Sequence, residues 1–404
     1  MTDEAIAQTS NNEVSLWELF WSYLKIGSTA FGGFMALISV VQTYLVEKKK
    51  LLSHDEMLDG ISLASILPGP VAVNVVTYTG YKIRGIPGAV ICFTAVILPS
   101  FFLILGLSHA YFNYGNIPAV DSVFKGFIPA VAAIILVAAI NLGKKSLSSR
   151  SQYVIAFTAA ALLIFVGGFY TTISIIALSG LVGYLLYRTK NVPVSPDTAD
   201  VKKESQLKTP GTLMVAALLT IPTIIVGIFK FQTILSVKLF TVFSGMSLML
   251  FGGGFVFIPM IQEVVVDSYS WLTHNEFVDG IALGQVTPGP IVLSATFIGY
   301  KVAGILGATT ATLGIFVPPA LLMLVCTSYL QKIKSSGFIQ AALTGIRCGV
   351  IGMIAAAAYV VASTAEQDLI ALLIFLASLI LLIKFRVEVI FLIPLAGLTG
   401  YFCY

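Results

Sequence analysis

The chain writes one stretch twice, and that repeat limits its folds more than any other feature. The first copy runs Ser53-His54-Asp55-Glu56-Met57-Leu58-Asp59-Gly60, then Ile61 to Leu67, then Pro68-Gly69-Pro70, and closes with Thr77-Tyr78-Thr79-Gly80-Tyr81-Lys82. The second runs Thr273-His274-Asn275-Glu276-Phe277-Val278-Asp279-Gly280, then Pro288-Gly289-Pro290, then Thr296-Phe297-Ile298-Gly299-Tyr300-Lys301. His54 and Pro68 recur after a shift of 220, Lys82 after 219, so the second copy lacks one residue. Upstream, Phe31-Gly32-Gly33 and Gln42 return as Phe251-Gly252-Gly253 and Gln262; downstream, Pro99 falls on Pro318 and Gly126 on Gly345. Ordered agreement of this length is internal duplication, so two like halves build the fold.

What kind of fold follows from composition. The 404 residues are 57% hydrophobic and only 10% charged, against about 25% charged in soluble domains. Apolar runs of about 20 residues, enough to span a bilayer, recur along nearly the whole chain. This is the pattern of an all-α polytopic membrane protein. The net charge of +4 is small and spread over loops, which argues against a nucleic-acid partner. Met1 to Asn12 is polar without a basic n-region, so no cleavable signal peptide is expected. Cys92, Cys326, Cys348 and Cys403 have no metal-type spacing and none recurs in the other copy; they read as small buried hydrophobes, with no metal or other cofactor expected.

Glu13 to Glu47 is apolar but interrupted by Phe31-Gly32-Gly33. As one helix it would reach roughly 50 Å, too long for a hydrocarbon core near 30 Å. Adjacent glycines weaken a helix interior, so two shorter helices meeting at the glycines are expected. Ser53 to Arg84 is broken in the same way by Pro68-Gly69-Pro70, since proline ends one helix and suits the first turn of the next. Spans are predicted near 87–111, 118–142, 151–167 and 170–187. The second copy repeats the plan with broken stretches at 233–266 and 273–301, then spans near 304–330, 338–361, 369–383 and 387–404. The segments are a polar tail (1–14), a first repeat (15–188), a hydrophilic linker (189–210), an unmatched span (211–230) and a second repeat (231–404).

Basic loops set the orientation. Lys144, Lys145 and Arg150 mark one cytoplasmic loop, and Arg188, Lys190, Lys202, Lys203 and Lys208 mark the linker. Working outward from these, Lys48-Lys49-Lys50, Lys82 and Arg84 lie inside if each broken stretch enters and leaves on one side, and the N-terminus is cytoplasmic. Forward from the linker, the unmatched span turns the second repeat upside down. Every basic cluster then obeys the rule except Lys301, which falls outside. Bent full crossings are the alternative to hairpins.

Inverted repeats with discontinuous helices are the plan of many secondary transporters, with substrate held at mid-depth between the repeats. A half-helix N-terminus offers free N–H groups and partial positive charge to an anion. Four could converge here, at Gly32-Gly33, Gly252-Gly253, Gly69-Pro70 and Gly289-Pro290; the plainer role for these residues is close helix packing. Asn74 and Ser294 occupy equivalent positions four residues after the second proline. Thr77, Thr296, Ser28, Thr29, Ser65, Gln285 and Thr287 supply further neutral groups, or else bond helix to helix. Two cations fall inside spans, Lys125 and Arg347, where charge is costly and usually functional. Snorkelling could explain Lys125; Arg347 lies deeper and is the first choice as ligand for a dianion. Glu56, Asp59, Glu276 and Asp279 are candidates for coupling protons, beside His54 and His274, or are helix caps. Lys82 and Lys301 read as interfacial anchors, and Gln42 and Gln262 have no assigned role. From residues alone the function reaches an inverted-repeat transporter for a small anion. An enzyme is not expected, because no His-Glu-x-x-His and no nucleophile–base pairing is present. An uncoupled anion channel stays open.

The paired Phe-Gly-Gly, His-x-Glu-x-x-x-Asp-Gly, Pro-Gly-Pro and Gly-Tyr-Lys segments resemble the chromate ion transporter family in its long form, in which two homologous domains are fused. The resemblance covers nearly everything from Leu16 onward except the linker and the unmatched span. It implies a multi-pass protein of the bacterial inner membrane that exports chromate, gives chromate resistance, and meets sulfate as a competing dianion. Molybdate has the same shape and charge, and a homodimer is left open. Two departures make the halves unequal: Phe34 stands where the second copy has Gly254, and Asp55 where it has Asn275.

Overall fold

The structure, a computed structural model, describes residues 14–30, 33–114, 118–187, 232–251, 254, 257–329, 336–363, 365 and 368–404. The linker, the unmatched span and Gly32, Gly252 and Gly253 lie outside these residues. What is described is helical, with no strand, and five helices are long and apolar enough to cross a membrane. The chain is an all-α polytopic membrane protein.

The first half contains α1 (Leu16–Thr29), α2 (Gly33–Gln42, continuing as a π-helical turn Thr43–Lys48), α3 (His54–Ile66), α4 (Val71–Tyr114), α5 (Pro118–Ser146), α6 (Arg150–Phe165) and α7 (Phe169–Tyr187). The second contains α8 (Gln232–Ser247), α9 (Phe257–Gln262, continuing as a π-helical turn Glu263–Ser268), α10 (His274–Val286), α11 (Ser294–Thr327), α12 (Gly337–Ser363), α13 (Leu369–Ile383) and α14 (Val389–Cys403).

The broken stretches are hairpins. In hairpin A, Lys49 Nζ meets Glu18 Oε1 at 2.7 Å and Ser22 Oγ meets Tyr44 OH at 2.5 Å; these pairs straddle the glycine break, so α1 and α2 run antiparallel. In hairpin C, Lys238 lies 3.9 Å over the Tyr269 ring, which folds α8 back along α9 in the same way. Hairpin B is α3 with the first arm of α4, closed where Gly60 sits against the Tyr78 ring. Hairpin D is α10 with the first arm of α11, closed where Gly280 sits against the Phe297 ring. Only glycine fits there: a Cβ would stand 2.4 Å and 2.6 Å from those rings.

Neither α4 nor α11 is one straight helix. Non-helical backbone at Arg84–Gly85 and at Ala303–Gly304 reverses the chain, with Gly85 at φ +63° and Gly304 at φ +59°. Gly80 then abuts Gly88, and Gly299 abuts Gly307; eight residues apart in one helix they would be about 12 Å distant. The second arm of each is the long span, packed on α1 in the first half and, for α11, on α8.

The second arm of α4 also fixes where the hairpins open. It leaves the mouth of hairpin B at Gly85, and its far end meets the mouth of hairpin D, where His109 Nδ1 lies 2.8 Å from Tyr300 OH. From Ile86 to His109 is roughly 35 Å of helix. Hairpins B and D therefore open at opposite ends of the bundle, and their tips approach mid-depth, since α3 and α10 are each roughly 20 Å long.

Beyond the hairpins, the halves are intertwined. α6 and α7 pack on α12 of the other half, and α13 and α14 pack on α5. Small residues let these helices close up: Gly183 on Gly345, Gly352 on Ala156, Gly126 on Gly400. Their outer faces carry Phe157, Phe165, Leu373, Phe391 and Phe402, all exposed, as a lipid-facing surface requires. Cys92 and Cys348 are buried as expected, but Cys326 is only partly so and Cys403 is exposed on α14. The last corrects its expectation: the lipid-facing side of a final helix needs no burial in protein.

Candidate functional site

The tips of hairpins B and D carry the Pro-Gly-Pro segments, and each tip is pinned to the other half. Gly69 N–H donates to Leu250 O at 2.7 Å, and Gly289 N–H donates to Ala30 O at 3.0 Å. Ala30 and Leu250 occupy equivalent positions, so the same bond is made twice with the halves exchanged. Ser100 Oγ donates to Pro288 O, and Gly69 in turn packs against Pro319, the counterpart of Ser100. Both glycines are in the left-handed region, at φ +109° and +97°, where side chains are strained.

This seam changes the role of Gly69 and Gly289. Their N–H groups are spent on carbonyls and their Cα atoms face protein, so in this arrangement neither offers its backbone to an anion. The free donors lie one step further on. In α4 the first intrahelical bond runs from Asn74 N–H to Pro70 O, which leaves the N–H groups of Val71, Ala72 and Val73 without helical partners. In α11 the first is Leu293 N–H to Pro290 O, ahead of which stand Ile291 and Val292.

The neutral groups separate into two sets. Thr77, Ser28, Thr29, Ser65 and Thr287 turn their hydroxyls back onto carbonyls of their own helices, and Thr296 bonds Thr312 Oγ1 at 2.7 Å. Those are structural bonds. Ser294 Oγ, Gln285 Nε2 and Asn74 Oδ1 are buried and have no partner among the described residues. Buried polar atoms in a native fold are almost always bonded; these three, like Ser244 Oγ, lack a partner among the described residues. Ser294 and Gln285 have a donor to give; Asn74 already gives its amide N–H to Pro68 O at 3.2 Å.

Arg347 and Lys125 fare differently. Arg347 lies about 15 Å into α12, at mid-depth. It stands two residues from both Gly345 and Gly349, which face α7, and so points away from α7. One and two turns along its own face are Val350 and Ile354, part of the main core. It is half-buried, and among the described residues it makes no ion pair or hydrogen bond. α12 also touches α9, the arm that follows Phe251-Gly252-Gly253. Lys125 lies nearer its helix end, 5.7 Å over the Tyr404 ring. Its neighbour Phe124 packs edge-on against Tyr111, which places Lys125 toward the mouth of hairpin D rather than at the tips.

The four acids also divide. Glu56 closes a capping box with Ser53, accepting from its N–H at 2.9 Å. Glu276 does the same with Thr273 and also binds Lys301 at 2.7 Å. That pair accounts for Lys301, the one basic residue that broke the loop-charge rule. Burial raises the Glu276 carboxyl, but Lys301 and the Thr273 N–H outweigh it and hold it below the ordinary value. A lowered native pKa stabilises above the unfolded value of about 4.3 and is lost as pH falls through the native one. Melting temperature measured from about pH 6 down to about pH 3 should therefore fall more steeply in the wild type than in Glu276→Gln. Equal slopes would mean that the ion pair does not form.

Asp59 is half-buried and Asp279 is 7% exposed, accepting from Tyr111 OH at 2.6 Å. His54 and His274 begin α3 and α10; His274 Nε2 is 3.8 Å from Asp267 in an exposed setting. Lys82 is half-exposed beside the reversal at Arg84. Sequence reasoning missed the π-helical turns that follow Gln42 and Gln262, which no residue pattern announces; such turns gather at functional sites. It also missed the partners of Asp279, which come from the far end of α4.

A polytopic helical bundle with two pinned hairpin tips, orphaned buried donors and an arginine at mid-depth is of the membrane-transporter class. The chain belongs to the Chromate transporter family, whose match covers residues 17–184 and 237–401. It is similar to the chromate transport protein of Cupriavidus metallidurans, 30% identical over 374 residues, which cover 92% of this chain and 89% of that one. The chromate transport protein of Pseudomonas aeruginosa is 30% identical over 95% of this chain and 91% of its own. An uncharacterized transporter of Methanocaldococcus jannaschii is 31% identical over 99% and 97%. No solved structure matches the chain.

Proposed function

We propose that this protein is a secondary transporter that exports chromate across the cytoplasmic (inner) membrane. The two repeats are inverted with respect to each other, and the dianion binds between them at mid-depth. Arg347 supplies the charge, and Ser294, Gln285 and the first-turn N–H groups of α4 and α11 supply the remaining donors. The observation that carries this reading is Arg347: at mid-depth, half-buried, and without an acidic partner among the described residues. A charge kept there with no acidic partner among the described residues is explained by a counter-ion that comes and goes. Gly69 and Gly289 hold the seam, and Pro70 and Pro290 start the half-helices. Gly32, Gly33, Gly252 and Gly253, at the other two helix breaks of the sequence, are assigned to the same site. Glu56 and Glu276 act as caps, leaving Asp59 and Asp279 as candidates for coupling protons. The repeat boundaries are those of the sequence, with the N-terminus cytoplasmic.

Proteoliposomes test this. Labelled chromate should enter saturably, compete with sulfate, and accumulate when a pH gradient is imposed. Flux that follows voltage and ignores the pH gradient would make the protein an anion channel. Preference for sulfate or molybdate would keep the site and change the substrate.

A further inference from the structure

We infer that this structure is open on the hairpin B side and shut on the hairpin D side, with Tyr111 and Asp279 as the latch of the shut side. α3 and its equivalent α10 are packed differently. α10 packs against α5 and α14, whereas α3 packs on α4 and α11 and has no comparable contact with α12 or α7, the counterparts of α5 and α14, among the described residues. Burial follows the packing. Leu58 is 45% exposed where its counterpart Val278 is 0% exposed, and Ser62 is half-buried where Ala282 is 0% exposed. The less covered stripe of α3 runs through Asp55, Leu58, Ser62 and Ser65. In α12 Arg347 is half-buried, while its counterpart in α5, Ile128, is 7% exposed. Since α12 is to α3 what α5 is to α10, the looser packing of α3 is inferred to give access to Arg347, and this part of the inference rests on the proposed anion site.

The shut side is held by groups that the repeat does not copy on the other side. Tyr111 OH donates to Asp279 Oδ2, and the Tyr111 ring packs edge-on against Phe124 and Phe297, at 5.1 Å and 5.2 Å between centroids. Phe112 packs at a tilt on Phe297 at 4.8 Å between centroids, and His109 bonds Tyr300. The counterparts of Tyr111, Phe112 and Phe124 are Leu330, Gln331 and Leu343, so the plug is aromatic on one side only. To open toward hairpin D, α10 must leave α5 and α14, and the bond between Tyr111 and Asp279 must break.

The test is thiol accessibility in membrane vesicles, using the full chain with its four cysteines replaced and a membrane-impermeant thiol reagent. Ser62→Cys should react from the hairpin B side, and Ala282→Cys should be protected from both sides. Adding Tyr111→Phe should raise the Ala282→Cys rate about tenfold, the worth of one hydrogen bond to a carboxylate, and lower that of Ser62→Cys. If Tyr111→Phe does not fold, Phe124→Leu, which copies the open side, serves in its place with the same direction expected. Equal reactivity of Ser62→Cys and Ala282→Cys without the second substitution overturns the inference, as does a latch variant that changes neither rate. The readout needs no chromate, so loss of the Arg347 assignment would leave it standing.

Discussion

Arg347→Ala should lose chromate binding by about a hundredfold to a thousandfold, the cost of removing one partner from a buried charge pair. The protein should still reach the membrane and keep its thermal stability without substrate. Without substrate the guanidinium is a charge held at mid-depth with no acidic partner among the described residues, and removing such a charge relieves desolvation rather than breaking a bond. Loss of binding together with unchanged melting is what separates a ligand from a structural residue. Arg347→Lys should fall between, since it keeps the charge and loses the planar fork that holds two oxyanion oxygens. Chromate affinity measured by equilibrium binding in detergent decides the matter. Wild-type affinity in Arg347→Ala would take the residue out of the site.

Gly69→Val should lower stability by about 2 to 5 kcal/mol, adding the cost of a side chain at positive φ to that of overpacking. Its Cβ would stand 2.2 Å from Pro319 Cβ, which is a ring atom and cannot swing aside. Gly289→Val should be milder in steric terms, because the nearest atom is Ser100 Oγ at 3.0 Å and a hydroxyl can rotate. Both lose the left-handed backbone that presents their N–H to Leu250 and Ala30. Thermal unfolding of purified protein in detergent should rank wild type above Gly289→Val above Gly69→Val. The reverse order, or no change, would mean the seam adds little.

Much of this architecture was legible because its causes are local. Glycine pairs and Pro-Gly-Pro break helices wherever they occur, so four broken stretches could be placed from sequence, and so could the family resemblance, which their motifs carry. Whether those stretches folded back or crossed was not local. It turned on pairs such as Glu18 with Lys49 and Gly60 with Tyr78, which no periodicity reveals. Ser53 and Thr273 three residues before a glutamate do announce capping boxes, and that is how Glu56 and Glu276 are used. Asp279 gave no such sign, because its partner Tyr111 lies 168 residues away. The same distance problem hid the role of Gly69, whose N–H finds Leu250 in the other half. Arg347 was the easiest residue to single out, since charge inside an apolar span is conspicuous without any knowledge of the fold.

The exchange of terminal helices has a bearing on biosynthesis. Because α13 and α14 cover α5, and Leu250 receives the tip of hairpin B, the first half leaves the ribosome with its long helix bare and its hairpin tip unpinned. It cannot reach its final packing until α13 and α14 have been inserted. A nascent chain in that condition holds apolar and polar surface together in lipid for the whole time the second half is being made, and membrane quality control will see every stalled or truncated product as unfinished.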